Sequence, residues 1–178
     1  MKNVLKIIGV LVLAFIGYVA YMVLNPVSPK ETVSYSSEIS NLEVVYSRPY
    51  KKDRLIFGSE EDGALVPFGK YWRTGANAAT TFKTSSDISF NGESLSAGEY
   101  ALFTFPYEDN WTVALSSESD VMFAVSQPDP KLDVVKTSVP VISLEKPVEQ
   151  FTIEFSKDSV SVNMHLMWDK VSVSIPLE

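Results

Sequence analysis

The chain's three arginines, Arg48, Arg54 and Arg73, fall between positions 48 and 73, while its twelve lysines are scattered from end to end. A guanidinium presents five donors in a planar fork, which suits paired contacts to carboxylate, sulfate or phosphate oxygens, or to a fixed set of carbonyls. Arg73 lies in the stretch Tyr71-Trp72-Arg73-Thr74-Gly75-Ala76-Asn77-Ala78-Ala79-Thr80, which gathers an aromatic, a cation, a glycine and a carboxamide within six residues. Two chemistries fit. In one, Arg48, Arg54, Arg73, Trp72 and Asn77 bind a small polar or anionic ligand such as an acidic sugar. In the other, the arginines only tie loop carbonyls and one internal carboxylate together. Glu149 shares strand parity with Phe151, Ile153 and Phe155, so it is the expected internal partner. Gly75, Thr80, Tyr100 and Glu149 are the expected supporting residues.

Other reactive side chains are sparse. The chain has no cysteine, which removes disulfides, thiolate metal sites and a Cys nucleophile. One histidine, His165, does not make a multi-His metal site. By parity it joins Ser161, Asn163 and Asp169 on the polar face of a strand whose apolar face is Val162, Met164, Leu166 and Trp168. No nucleophile elbow, phosphate loop, dinucleotide fingerprint or HExxH is present. Among 22 acids no carboxylate pair stands out, so a carboxylate-dependent hydrolase is the remotest of three function classes. Glu60-Glu61-Asp62 lacks the alternation of a calcium loop. No metal or cofactor is expected, and no catalytic residue. A net charge of −7 disfavours nucleic acid.

The elements that hold these residues start with a membrane signal. Lys2 and Lys6 precede an uncharged apolar run from Ile7 to Leu24, nearly long enough to cross a hydrocarbon core as a helix. A cleaved signal peptide is the alternative; the run is long for one, and Tyr18 sits where a small residue should precede a cut after Ala20. The flanking lysines place the N-terminus in the cytoplasm and the rest in the periplasm or outside, either anchored or, after cleavage, secreted. Residues 1–24 are thus expected as a transmembrane anchor, 25–40 as a proline- and serine-rich linker, and 41–178 as the domain, with an edge strand starting at Val33 and Tyr35 as the alternative for that boundary.

The domain reads as short alternating runs. Leu42, Val44 and Tyr46 share a face that Arg48 continues until Pro49. Asn91-Gly92 signals a hairpin and Ala97-Gly98 another turn. Tyr100 to Phe105 is apolar on both faces, as a covered central strand is. Trp111, Val113 and Leu115 share a face; Val134 to Leu144, broken by Pro140, then Phe151 to Phe155, Val160 to Trp168 and Val171 to Ile175 complete the series. About nine strands without a helical period predict an all-β, antiparallel sandwich of jelly-roll type behind the anchor, with Trp72, Trp111 and Trp168 in its core.

Tyr46-Ser47-Arg48-Pro49, Arg54-Leu55-Ile56-Phe57-Gly58, Trp72-Arg73-Thr74-Gly75-Ala76-Asn77 and Ala97-Gly98-Glu99-Tyr100-Ala101-Leu102-Phe103-Thr104-Phe105-Pro106 occur in this order, followed by Trp111-Thr112-Val113 and Trp168. In this the chain resembles the bacterial domain-of-unknown-function family 2911 over residues 40 to 176. It departs from that pattern at Asp53, at Leu115-Ser116 and at Lys136. The resemblance implies an exported bacterial protein and brings no activity, cofactor or catalytic residue. The expectation is therefore a membrane-anchored binding module, with a structural or assembly protein of the envelope as the alternative.

Overall fold

The structure, a computed structural model, describes residues 2–24, 27–38, 40–119, 124–159 and 161–178, with no side-chain description for 2–5 and 23. Helix α1 covers Lys2–Leu24. Among the described residues no helix is long and apolar enough to cross a membrane; their unbroken helical stretch with side chains is 6–22, so the expected transmembrane span is not established there. Downstream, the described residues form strands, turns, irregular segments and one short 3-10 turn at Pro130–Leu132.

Among the described residues eleven strands follow α1: β1 Lys30–Ser36, β2 Asn41–Ser47, β3 Phe57–Gly58, β4 Val66–Pro67, β5 Thr80–Thr84, β6 Ile88–Phe90, β7 Glu93–Leu95, β8 Gly98–Pro106, β9 Asn110–Ser116, β10 Asp133–Lys157 and β11 Val162–Leu177. Nine of them form one sheet in the order β1-β2-β5-β8-β9-β10-β11-β6-β7, all antiparallel; β3 and β4 make a separate parallel pair. The fold is thus mostly antiparallel sheet, as expected. With the β3–β4 and β6–β7 excursions set aside, sheet neighbours are chain neighbours. That is an up-and-down meander, unlike the Greek keys that define a jelly roll.

Strand β10 explains the shape. Its first part pairs with β9 from Asp133 to Pro140, and from Val141 onward it pairs with β11. Pro140, expected to break the run, stands at the handover: it faces Asn110, the last β9 partner, and Val141 already faces Val173. A residue without an N–H costs least where one ladder ends and the next begins. The sheet therefore turns across β10 into two arms. Side chains from both arms meet between them: Phe82 of β5 packs edge-on against Phe90 of β6 at 5.5 Å, and Tyr46 of β2 against Phe151 of β10 at 5.6 Å.

Strand β1 corrects the expected linker at 25–40. It pairs with β2 along its whole length, from Lys30–Ser47 to Ser36–Asn41. Thr32, Ser34 and Ser36 are exposed while Glu31, Val33 and Tyr35 turn inward, so the edge strand that Val33 and Tyr35 suggested is present, three residues longer at its start, beneath a linker-like composition. Pro29 ends before it and breaks no ladder. The Asn91-Gly92 hairpin is as read: both residues have positive φ, and Phe90 faces Glu93 across the turn. Val160, expected at a strand start, lies outside the described residues.

Candidate functional site

Trp72 is the hub of the core's aromatic cluster. Its indole stacks on Trp168 at 5.8 Å and 19°, and meets Phe151 at 4.9 Å, Trp111 at 5.8 Å and Phe57 at 5.9 Å. Its backbone exchanges two hydrogen bonds with Thr104 of β8, at 2.8 and 2.9 Å. With Trp72 pinned, the loop after it has little room. Thr74 (φ 55°), Gly75 (φ 148°) and Asn77 (φ 62°) all take left-handed or related backbone conformations. For Thr, a β-branched residue, that conformation is strained, on the order of 1–3 kcal/mol. Burial and hydrogen bonds hold it: Thr74 Oγ1 donates to the Trp72 carbonyl at 3.3 Å and lies 3.0 Å from Thr104 Oγ1, and Thr80 Oγ1 donates to the Thr74 carbonyl at 2.6 Å. Trp72 Nε1 donates to the Gly75 carbonyl at 3.1 Å. At Gly75 a Cβ would stand 2.9 Å from the Ser47 carbonyl oxygen, so the loop needs glycine for space as well as for φ.

A second loop comes in beside it. Residues 49–51 zip onto β10: Phe151 N–H donates to the Pro49 carbonyl, Lys51 N–H to the Glu149 carbonyl, and Tyr50 bridges Gln150. Lys51 Nζ then reaches both Asp169 of β11 (2.8 Å) and the Arg54 carbonyl (3.1 Å). Arg54 folds back, Nε to the Lys51 carbonyl at 3.1 Å and Nη2 to the Tyr50 carbonyl. Lys52 has φ 51°, its N–H donates to Glu149 Oε1 at 2.8 Å, and no partner is recorded for its ammonium among the described residues.

Between the loops lies a cleft of about 510 Å³. Lys52, Arg54, Arg73 and Asn77 line it, with Trp72 and Trp168 below, Tyr50 and Leu65 at the sides, and Val27 and Ser28 at the rim. Among the described residues no Asp or Glu is on its lining. Of the nearby carboxylates, Glu149 accepts from the Lys52 N–H and Asp169 pairs with Lys51, while Asp53, between Lys52 and Arg54 in the chain, is exposed and off the lining. Arg73 Nη1 donates to the Asn77 carbonyl at 2.8 Å, closing the loop on itself, and Asn77 Nδ2 donates to the Ser28 carbonyl at 3.2 Å, holding the rim in place. Trp168 is fully buried, and its Nε1 has no hydrogen-bond partner among the described residues. Such orphans are few in folded proteins and call for a partner.

The structure therefore divides the expected site. Arg54, Trp72, Arg73, Asn77 and Gly75 meet at the cleft. Arg48 does not line it. Its Nε donates to the Phe151 carbonyl at 3.0 Å, Nη2 to Thr152 Oγ1 at 2.8 Å, and Nη1 pairs with Glu31 at 2.5 Å. Its carboxylate partner is Glu31 of β1 rather than Glu149. Glu149 is exposed, because register shifts on either side of Val148 and before Thr152 break the parity that pointed it inward. Thr80 supports the loop from beneath, as its bond to Thr74 shows. Tyr100 is remote from the cleft: its hydroxyl donates to the Ser96 carbonyl at 2.8 Å. His165 lies on the polar face as read, 2.7 Å from Ser156 Oγ by Nε2. Sequence reading missed Lys52, Tyr50 and Trp168 as cleft residues. The basic run Lys51-Lys52 beside Arg54 was a signal for the first; nothing local marked Trp168 as more than a core residue.

Residues 28–177 match the family model described as "Protein of unknown function (DUF2911)". No match was found among curated proteins or among solved structures.

Proposed function

We infer that this chain, which belongs to the DUF2911 family, binds a small anionic ligand, such as a phosphate ester or an acidic sugar, in the cleft between the 50–54 and 72–77 loops. The observation that carries this reading is electrostatic. Three cationic side chains, Lys52, Arg54 and Arg73, share one concave surface with no acidic residue among its described lining residues, in a chain whose net charge is −7. Left empty, such a cluster repels itself; an anion removes the repulsion and gains charge-assisted hydrogen bonds. The aromatic and aliphatic walls suit a ring or chain carried by the anionic group.

The same reading takes residues 7–24 as an uncleaved anchor, with the β domain on the far side of the membrane from the N-terminus and its two packed arms forming a sandwich. Its support is the uncharged run in the sequence together with the exposure of every described side chain from Lys6 to Met22. A helix that shows apolar groups all round needs an apolar surround. A purely structural role in the envelope is the second reading. What favours it is Arg48, which is wholly engaged in joining β1 and β2 to β10.

Thermal-shift measurements on the full chain in neutral detergent distinguish the two. Glucuronate, glycerol 1-phosphate and inorganic phosphate are compared with glucose and glycerol. The binding reading expects a saturable rise in Tm with at least one anion, none with its neutral counterpart, and loss of the rise in Arg54→Gln. Equal response to the neutral compounds, or none to any anion, overturns it.

A further inference from the structure

We propose that the anion this cleft takes is the phosphate headgroup of an acidic lipid, drawn from the same membrane that anchors α1. The proposal rests on the anion-binding and anchoring readings above and adds the source of the ligand. Its first ground is covalent reach. Helix α1 ends at Leu24, and the cleft's rim begins at Val27 and Ser28. Three residues of extended chain span at most about 10 Å. Asn77 Nδ2 holds the Ser28 carbonyl, so the tether is fastened to the cleft itself rather than to a distant edge of the domain. A cleft so close to the end of a membrane helix lies at headgroup depth, whichever way the domain tilts.

The second ground is the chemistry of the rim. Val27, Leu65 and Tyr50 are 63%, 44% and 39% exposed, beside Lys52 and Arg54. In water those aliphatic groups gain nothing by exposure. At a bilayer surface an amphipathic rim of Tyr, aliphatic groups and cations is favourable, the apolar groups toward acyl chains and the cations at phosphate level. A soluble anion would use the cations but leave this rim idle; a headgroup with its first acyl carbons uses both.

The test keeps the full chain in neutral maltoside micelles and follows tryptophan fluorescence, since Trp72 and Trp168 line the cleft. Three probes are titrated: dihexanoyl phosphatidylglycerol, dihexanoyl phosphatidylcholine and free glycerol 1-phosphate. Saturable binding of phosphatidylglycerol is expected, at least about tenfold tighter than either of the others, a factor that one charge-assisted contact supplies. Lys52→Gln should weaken it by about tenfold with an unchanged melting temperature, because that ammonium has no partner among the described residues. Glycerol 1-phosphate binding as tightly as phosphatidylglycerol overturns the lipid source and leaves the anion reading standing. Equal binding of both lipids, or of no probe, overturns the lipid source, and the anion reading then stands or falls on the thermal-shift comparison above. Phosphatidylglycerol binding that Lys52→Gln leaves unchanged overturns the assignment to this cleft.

Discussion

At the scale of single residues, Gly75 and Arg73 carry the cleft loop in different ways. Gly75 combines φ 148° with a Cβ position 2.9 Å from a backbone oxygen that cannot swing aside. Gly75→Ala is expected to cost about 2 kcal/mol or more, read from urea unfolding, since strain and overlap add. Arg73 is half-buried and closes its loop onto the Asn77 carbonyl. Arg73→Ala is expected to lower stability by about 1 kcal/mol, the worth of that bond, and to abolish the anion-induced rise in Tm. An unchanged melt with lost ligand response would leave Arg73 a binding residue alone. Both outcomes intact would remove it from the site.

At the scale of elements, the contact between β2 and β10 is a polar lock. Tyr46 is buried at its centre: the Ile153 N–H donates to its hydroxyl at 2.8 Å, while Arg48 and Glu31 stand beside it. Tyr46→Phe strands that N–H and is expected to cost about 1–2 kcal/mol in denaturant titration. Burial pushes the Tyr46 phenol up to about 12, partly offset by its bond to Ile153 and the charge of Arg48. The folded value is above the unfolded one, so this stability is complete below about pH 10 and is lost as pH rises through about 12. Alkaline unfolding in that window should be shallower in Tyr46→Phe. The opening of β10 offers the acidic counterpart. Asp133 Oδ1 is buried without a partner among the described residues, and burial raises its carboxyl, with Lys136 pulling the other way. Its contribution is present below the unfolded value and lost as pH rises through the folded one. Asp133→Asn is therefore expected to melt at or above the parent temperature at pH 7, with the gain fading as pH falls toward 4. A fall at pH 7 would mean that the carboxylate has a partner there.

At the scale of the whole molecule, the expected arrangement is a β domain outside a membrane that α1 anchors. Protease added to spheroplasts should remove the domain and leave a short membrane-bound fragment. A domain that stays protected contradicts the topology, and a released domain starting after residue 20 contradicts the anchor.

The strands were legible because period-two burial leaves a direct trace: Leu42, Val44 and Tyr46 alternate with exposed or half-buried neighbours and are buried as their spacing implied. The hairpin was legible because Asn91-Gly92 encodes its own backbone geometry. Trp72-Arg73-Thr74-Gly75-Ala76-Asn77 announced itself for the same local reason. Strand β1 was only partly legible: Val33 and Tyr35 hinted at an edge strand, but its alternate residues are polar and exposed. The Arg48–Glu31 pair escaped because Glu31 fell in the expected linker, and register shifts around Val148, which strand parity cannot see, decided where Glu149 points. The sequence by itself determined the alternation, the turns and the placement of three guanidinia near one another in the chain. Only the tertiary structure decided that Arg48 would be consumed in a lock while Arg54 and Arg73 shared a cleft with Lys52 and Trp168, residues up to 116 positions apart in the sequence. That choice depends on β10 crossing between two arms, a long-range pairing whose consequences no local pattern contains.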